Sequence, residues 1–359
     1  MIYLDANATE PLRPEARAAT IDAMDLVGNP SSIHGPGRAA RQMLEGCRRA
    51  VAARYGAPVG GVVFTSGGTE ADALAVASLG RGRRVLIGAT EHDAVRAACE
   101  DREIVPVDPA GVIDLEALEH ALRGDGPALV CLMLANNETG TLQPIRDVAA
   151  LCRRYAALLH VDAVPAAGRI TVDLAALGAD SLALSGHKIG GPKGAGALLL
   201  ADDGQLAPLI AGGGQERGRR GGTPSLPAIA GFAAAARCPL PDLLSLREAV
   251  ERIAGSNGGI VLGGGERLPN TSCLALPGVR AETQVIALDL AGVAVSAGAA
   301  CSSGKVSRSH VLDAMGCGAL AGEAIRVSLP WTATAEDVAG FGAAYGAMAM
   351  KLGRLVAAG

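Results

Sequence analysis

The chain has 359 residues, 49% of them hydrophobic and 19% charged, with 49 Gly, 70 Ala and only eight aromatic side chains. At roughly 150 residues per domain this is about two domains' worth of sequence, which excludes a mini-domain, and the apolar content excludes a disordered chain. A net charge of -4 gives no electrostatic reason to bind nucleic acid, and scattered aromatics offer few stacking surfaces.

Small-molecule chemistry is therefore the better expectation. Eight cysteines occur without a C-x-x-C pair, so reduced thiols are expected rather than a disulfide framework or a zinc module. The segment MIYLDANATEPLRP has no basic and then apolar leader pattern. No later run reaches about 18 apolar residues. A cytoplasmic chain without a membrane partner is expected.

In chain order, short apolar runs bounded by Gly, Pro or Asp are predicted as strands at 62–65, 84–87, 104–107, 128–134, 158–161, 181–184 and 197–200. Helix-length segments at 38–53, 69–79, 114–123 and 145–155 lie between them. Continuous rather than alternating apolar runs suit strands covered on both faces, so a mainly parallel, helix-covered α/β sheet is expected. A Gly-rich stretch at 212–222 ends this pattern, and Pro239 to Pro241 leads into a second unit. There, strands are predicted at 259–262, 272–276, 293–296 and 325–328, with helices at 282–291, 309–315 and 335–357. That texture reads as a smaller α+β domain.

Three polar clusters sit at predicted strand ends, where open α/β sheets form their ligand crevice. Thr65-Ser66-Gly67-Gly68-Thr69-Glu70 is a strand, a glycine turn and a helix start, a shape that cradles phosphate. Its plain alternative is Thr69 capping its own helix. It lacks the G-x-x-x-x-G-K-[ST] pattern of a nucleotide loop. Gly35-Pro36-Gly37-Arg38-Ala39-Ala40 matches G-x-G-x-x-A, yet no strand is predicted before it, so a dinucleotide site is not expected.

The second cluster is Ser185-Gly186-His187-Lys188. Lysine is scarce here, four residues against 28 Arg. A Lys at a strand end in such a chain points to a need that an always-charged guanidinium cannot meet, such as a Schiff base. The third is Asp162, ending the run at 158–161. It is either a cap for the next helix or the partner of a protonated ring nitrogen. A phosphate turn, a Schiff-base Lys and a strand-end Asp are together the attachments that pyridoxal 5'-phosphate (PLP) requires.

Motifs in order sharpen this reading: Tyr3-Leu4-Asp5-Ala6-Asn7-Ala8-Thr9, Gly28-Asn29-Pro30-Ser31-Ser32-Ile33-His34, the turn 65–70, Thr90-Glu91-His92, Asn136-Asn137-Glu138-Thr139-Gly140, His160-Val161-Asp162-Ala163, Ser185 to Lys188, Gly212 to Gly218, and Ala299-Ala300-Cys301-Ser302-Ser303-Gly304. With this ordered set, spanning essentially the whole chain, the sequence resembles the cysteine desulfurases of the IscS/NifS type, within the class V aminotransferases of PLP fold type I. The resemblance implies a large PLP-binding domain at 12–238. A small α+β domain, formed by 1–11 and 239–359, would carry a mobile cysteine loop at about 298–307.

It further implies roles for individual residues. Lys188 would bind the cofactor aldehyde and afterwards move protons at the substrate Cα. Gly68, Thr69, Ser185 and His187 would hold the phosphate, Gly186 would be among the cofactor-binding residues, and Thr223 would reach the phosphate of a partner subunit's cofactor, which implies a homodimer. His92 would stack on the ring and act as acid and base, Asp162 would hold the ring nitrogen, Asn137 would contact cofactor or substrate, and Arg326 would clamp the substrate carboxylate. Cys301, in a Gly/Ser/Ala-rich stretch with Lys305 nearby, would take sulfur from L-cysteine as a persulfide, release L-alanine, and pass the sulfur to an acceptor protein such as an iron–sulfur scaffold.

Cys47, Cys99, Cys131 and Cys152 fall in apolar segments and read as core thiols, while Cys317 between two glycines is a second candidate exposed thiol. No metal is implied. Three positions depart from the family pattern: Pro165 replaces the usual Gln three residues after the Asp, Glu10 stands where a second Thr is usual, and Pro330-Trp331 replaces Gly-Arg. The missing Gln contact to the cofactor's phenolic oxygen would fall to another group, with Asn137 as a candidate. Alternatives at this stage are another enzyme of the same fold, a selenocysteine lyase or an aminotransferase, and a non-catalytic scaffold homologue.

Overall fold

The structure, a computed structural model, describes residues 1–204, 206–298 and 308–357, with backbone only over 353–357. Thirteen strands are described: β1 (Ile2–Tyr3), β2 (Val62–Thr65), β3 (Arg84–Gly88), β4 (Arg102–Val105), β5 (Ala128–Met133), β6 (Leu158–Asp162), β7 (Ser181–Ser185), β8 (Gly196–Leu200), β9 (Ile260–Leu262), β10 (Thr271–Ala275), β11 (Val293–Ala294), β12 (Ser296–Ala297) and β13 (Ala324–Ser328). Seven form one sheet in the order β2-β8-β7-β6-β5-β3-β4. Pairing is parallel from β7 through β4, whereas β8 runs antiparallel to both β2 and β7. All residues of β5, β7 and β8 are buried, as continuous apolar runs require when both faces are covered.

Alternation along the strands separates the two faces. Phe64, Leu86, Val130, Leu132, Leu159 and Val161 join the largest core with the helices Gly35–Arg54, Ile145–Arg154 and Leu226–Ala236. Val63, Ala183 and Leu198 pack on the opposite side against Ala71, Leu74 and Ala75 of the helix Gly68–Leu79. His160 and Asp162 alternate with Leu159 and Val161, which sends them toward this second face. Small residues let the helices approach closely. A Cβ on Gly231, in Leu226–Ala236, would lie 2.3 Å from Thr20 Oγ1 of the helix Pro14–Met24.

A second, antiparallel sheet has the order β12-β13-β10-β9. Its core takes Val250, Leu274, Leu288, Ile325, Val327, Phe341 and Tyr345, together with Leu4 from the far end of the chain. The run 293–296, predicted as one strand, is divided. β11 pairs in parallel with β1, and β12 pairs with β13. The division reflects a partner 290 positions away, which local periodicity cannot register. The N-terminal helix Pro14–Met24 and the helices Leu226–Ala236 and Leu244–Ser256 are additions to the elements expected.

The edge of the large sheet at β2 is closed by an ion pair instead of another strand. Glu216, in the Gly-rich stretch, accepts from Phe64 N–H at 2.9 Å, and Arg48 donates to Val62 C=O at 2.8 Å. Arg48 and Glu216 meet at 2.7 Å, both side chains almost fully buried. This satisfies an edge that would otherwise present open backbone groups, and it fixes the Gly-rich stretch beside the turn that follows β2. Arg48→Met leaves the Glu216 carboxylate buried without its cation, and should cost about 3–5 kcal/mol of stability, read as a lowered urea midpoint.

Candidate active site

The parallel strands deliver side chains to one edge of the sheet. Asp162 ends β6, Ser185 ends β7, and Thr65 ends β2. Lys188 closes the short 3-10 turn Gly186–Lys188 directly after β7. At this edge lies a cavity of about 260 Å³ lined by Gly68, Thr69, His92, Asn137, Asp162, Ser185, His187, Lys188 and Arg326. Nine of the predicted site residues thus share one wall, although they are scattered over more than 250 positions of chain.

The helix Gly68–Leu79 starts at the cavity. Its N-cap is Gly67, with no side-chain cap, so Thr69 does not cap its own helix. The N-terminal N–H groups of a helix lack intrahelical partners and favour an anion. A Cβ on Gly68 would stand 2.6 Å from Val164 Cγ2, so only glycine fits that close turn. Beside it, burial, with Lys188 and Lys193 adding to the effect, lowers His187 to about 4, so its ring is neutral. His187 Nδ1 lies 3.2 Å from Thr9 Oγ1.

Asp162 lies at the other end of the cavity. One carboxylate oxygen accepts from Val164 N–H at 2.8 Å. Burial, and then the nearby Asp72, pushes its pKa from 3.8 up to about 7. Asp72, on the buried face of the helix Gly68–Leu79, is raised by burial too. It lies 3.2 Å from His160 Nε2, and His160 Nδ1 lies 2.8 Å from Ser181 Oγ. Burial lowers His160 to about 4, so the imidazole supplies no charge to offset the two acids. A buried carboxylate without a cation is what a protonated ring nitrogen would complete.

Lys188 Nζ donates to the carbonyls of Asn7 and Ala8, the latter at 3.1 Å. His92 caps the helix Asp93–Ala98, its Nδ1 accepting from Ala94 N–H at 3.1 Å. In the neutral ring the proton is therefore assigned to Nε2. Arg326 is central in β13 rather than at a strand end, and it is 2% exposed. It donates to Asp5 Oδ1 at 2.8 Å and to Asn137 C=O at 3.3 Å. Its Nε is a buried donor without a partner among the described residues, as a clamp for a carboxylate needs.

Two of the expected cofactor-binding residues stand apart. Gly186 is not on the cavity wall; its N–H donates to Ala195 C=O at 2.8 Å and its own carbonyl accepts from Ile189 and Gly191. It shapes the turn that presents Lys188. Thr223 lines a separate cavity of about 200 Å³ with Thr65, Ser66 and Arg220. Cys301, Lys305 and most of the 298–307 stretch lie outside the described residues. Cys99 is half-buried, its Sγ 3.4 Å from Asp101 C=O, because it follows the short helix instead of entering the core. Cys317 is half-buried as well, and burial raises its thiol pKa, which removes it as an exposed thiolate.

Three polar lining residues were not assigned a role in the sequence reading: Asn7, Asp72 and Arg169. Asp72 carried a usable signal, since it follows Gly68 by four positions and so shares its helix face. Asn7 offered none. Its amide donates to Asn137 C=O at 3.0 Å and Thr271 Oγ1 at 2.9 Å, partners far away in sequence.

Residues 2–341 match the aminotransferase class-V family model. The chain belongs to that family. It is 44% identical to a cysteine desulfurase of Cereibacter sphaeroides over 93% of this chain and 92% of that protein. It is also similar to the solved NifS-like protein of Rickettsia africae ESF-5, with a TM-score of 0.90 and 34% identity over 97% of this chain and 99% of the other. A structure described as SspA in complex with cysteine matches with a TM-score of 0.82 and 29% identity, over 92% of this chain and 99% of the other. Within the family the chain therefore groups with the cysteine desulfurases, and the PLP fold type I architecture expected from the sequence is the one observed.

The site fits PLP on its own chemistry: a Lys for the aldehyde, an uncapped helix start for the phosphate, and a buried carboxylate for the ring nitrogen. In cofactor-free protein the raised Asp162 has a definite sign. The folded state keeps a proton that the unfolded chain releases near pH 4, so stability falls as pH rises from about 4 to about 7. Asp162→Asn should flatten that slope, measured by denaturant unfolding of the apo-protein at pH 5 and pH 7.5. Parallel slopes for parent and variant would contradict the raised carboxyl.

Proposed function

We propose that this chain uses PLP held by Lys188 to take sulfur from L-cysteine, leaving L-alanine and a persulfide on Cys301 that is passed to an acceptor protein. The observation that carries the reading is the meeting of Lys188, Asp162, the Gly68 helix start and the Arg326 donor in one cavity. When bound, PLP supplies an electron sink conjugated to the substrate Cα. The N–H groups of Gly68 and Thr69, with Ser185 and the neutral His187, hold the phosphate. Asp162 keeps the ring nitrogen protonated. Arg326 turns its open Nε to the substrate carboxylate, and Asn137, whose carbonyl already ties Arg326 in place, lies beside it.

Lys188 then removes the Cα proton and returns it at a neighbouring carbon. His92, with its Nε2 proton, serves as the nearby acid. The Cys301 thiolate takes the substrate sulfur: the C–S bond breaks, an S–S bond forms, and the carbon framework leaves as alanine. The chain enters and leaves the segment bearing Cys301 beside this cavity, which supports the assignment. A Cβ on Gly298 would stand 2.7 Å from Glu138 Oε2, and Ser309 donates to the same carboxylate at 2.6 Å. Glu138 directly follows Asn137.

The separate core of the second sheet supports dividing the chain into a cofactor-binding unit at 12–238 and a second unit at 1–11 with 239–359. Thr223, turned to a different cavity, suits a homodimer in which it reaches the other subunit's phosphate. The cytoplasmic location rests on the cysteine pattern, and transfer to an iron–sulfur scaffold rests on the resemblance. Among the described residues no helix is long and apolar enough to cross a membrane.

Borohydride reduction of the PLP-loaded protein followed by peptide mapping should place the label on Lys188. Cys301→Ala should keep the bound cofactor and its colour but abolish persulfide and alanine formation from L-cysteine. Full retained activity in that variant would refute the role of Cys301. Alanine formation that requires a keto-acid acceptor would favour an aminotransferase instead.

A further inference from the structure

The three positions that depart from the family pattern, at 10, 165 and 330–331, are distant in sequence but adjacent in space. Beside Asp162 the cavity wall continues through Val164 and Pro165 to Arg169. Neither Val164 nor Pro165 has a side-chain donor. Arg169 has several, and it is paired with Glu10 with both side chains almost wholly buried. Glu10 also accepts from Trp331 N–H at 3.4 Å, and Arg13 stacks over the Trp331 ring at 4.9 Å. Among the described residues Glu10 is the ion-pair partner of Arg169, and the paired guanidinium belongs to a residue that lines the cavity.

The pair also brackets Lys188. Glu10 N–H donates to the carbonyl of His187 at 2.9 Å, one residue before it. Gly168, next to Arg169, lies so close to Ile189, one residue after it, that a Cβ would stand 2.9 Å from Ile189 Cγ2. PLP carries its phenolic oxygen on the ring carbon next to the one that bears the aldehyde. Arg169 lines the same cavity as Lys188, so its cation is available to that oxygen from the cavity wall.

We infer that Arg169 supplies the hydrogen bond to the cofactor's phenolic oxygen that Pro165 cannot make, with Glu10 as the positioning residue that holds and partly neutralises it. The inference rests on PLP being the group this cavity takes. Other charged or titratable groups around the pair are Arg13 from the N-terminal segment, His187 and Lys188 from the turn after β7, Asp162 from β6, Asp72 from the helix Gly68–Leu79, and His92. Of these Arg13 lies near enough to act directly on Arg169. A cation at this place stabilises the phenolate and disfavours protonation of the nitrogen joined to Lys188, so the bound cofactor's visible absorbance reports on it as pH is varied.

The test is a pH titration of that absorbance in PLP-loaded protein, together with the PLP dissociation constant. R169Q should raise the titration midpoint by about one unit or more, and weaken PLP binding by about tenfold. E10Q, which removes the counter-charge, should shift the midpoint downward. P165Q added to R169Q should restore much of the affinity. An R169Q protein with the parent midpoint and affinity overturns the assignment and leaves a structural ion pair. Should R169Q not fold, E10Q decides alone, and an unmoved midpoint there overturns it. A parent chain that gains no visible band with PLP would overturn the cofactor reading itself, and this assignment with it.

Discussion

The N-terminal segment is the constraint on which the site depends. Leu4 is buried in the core of the second sheet, and residues 4–6 exchange backbone hydrogen bonds with Ser328 at the end of β13. A few residues later Glu10 and Arg13 bond the carbonyls of His187 and Gly190 in the turn that follows β7. One short stretch is thereby stitched to both sheets. Between the two attachments lie Asn7 and Ala8, whose carbonyls receive Lys188, and Asn7 also receives Asn270 and reaches Thr271. The cavity exists because this strap sets Arg326, in the middle of β13, opposite the β6 and β7 ends carrying Asp162 and Ser185.

Electrostatics divides the cavity into two ends of opposite character. At the Asp162 end, two buried acids and a neutral histidine accumulate demand for a cation. At the Gly68 end, an uncapped helix start next to a neutral His187 and Lys188 offers donors to an anion. A planar ligand with a protonated ring nitrogen on one side and a phosphate on the other matches both ends at once. Arg326, across the cavity, is tied by Asp5 and by the Asn137 carbonyl. These tethers orient the guanidinium without consuming all its donors, so a carboxylate bound there would not need to recruit it from solvent. Orientation fixed in advance lowers the ordering cost of binding.

Much of the fold was legible because its strands are buried on both faces. Continuous runs such as 128–134 and 181–184 are readable when flanked by Gly, Pro or Asp, and the helices between them followed from length. Two kinds of element were not legible. Strands of two residues, such as β1 and β11, have no periodicity to read, and β11 and β12 look like one run until their different partners are known. The reversed direction of β8 was equally hidden, since an antiparallel strand inside a helix-covered sheet has the same apolar composition as its parallel neighbours.

For the site the same division holds residue by residue. Lys188, Asp162 and the 65–70 turn were singled out by the sequence alone, since each lies at a predicted strand end and the composition made the lysine conspicuous, and the structure brings all three to one cavity. What only the tertiary structure decided is company. Asp72 and His160 meet because a helix face lies over β6, Gly186 leaves the wall because its backbone is spent on the turn, and Glu10 meets Arg169 because the N-terminal strap crosses the sheet edge. Hydrogen bonds and ion pairs act over a few ångströms of space whatever the separation along the chain. A linear pattern can therefore name the residues that carry a chemistry, while the charge and donors around each are set by the fold.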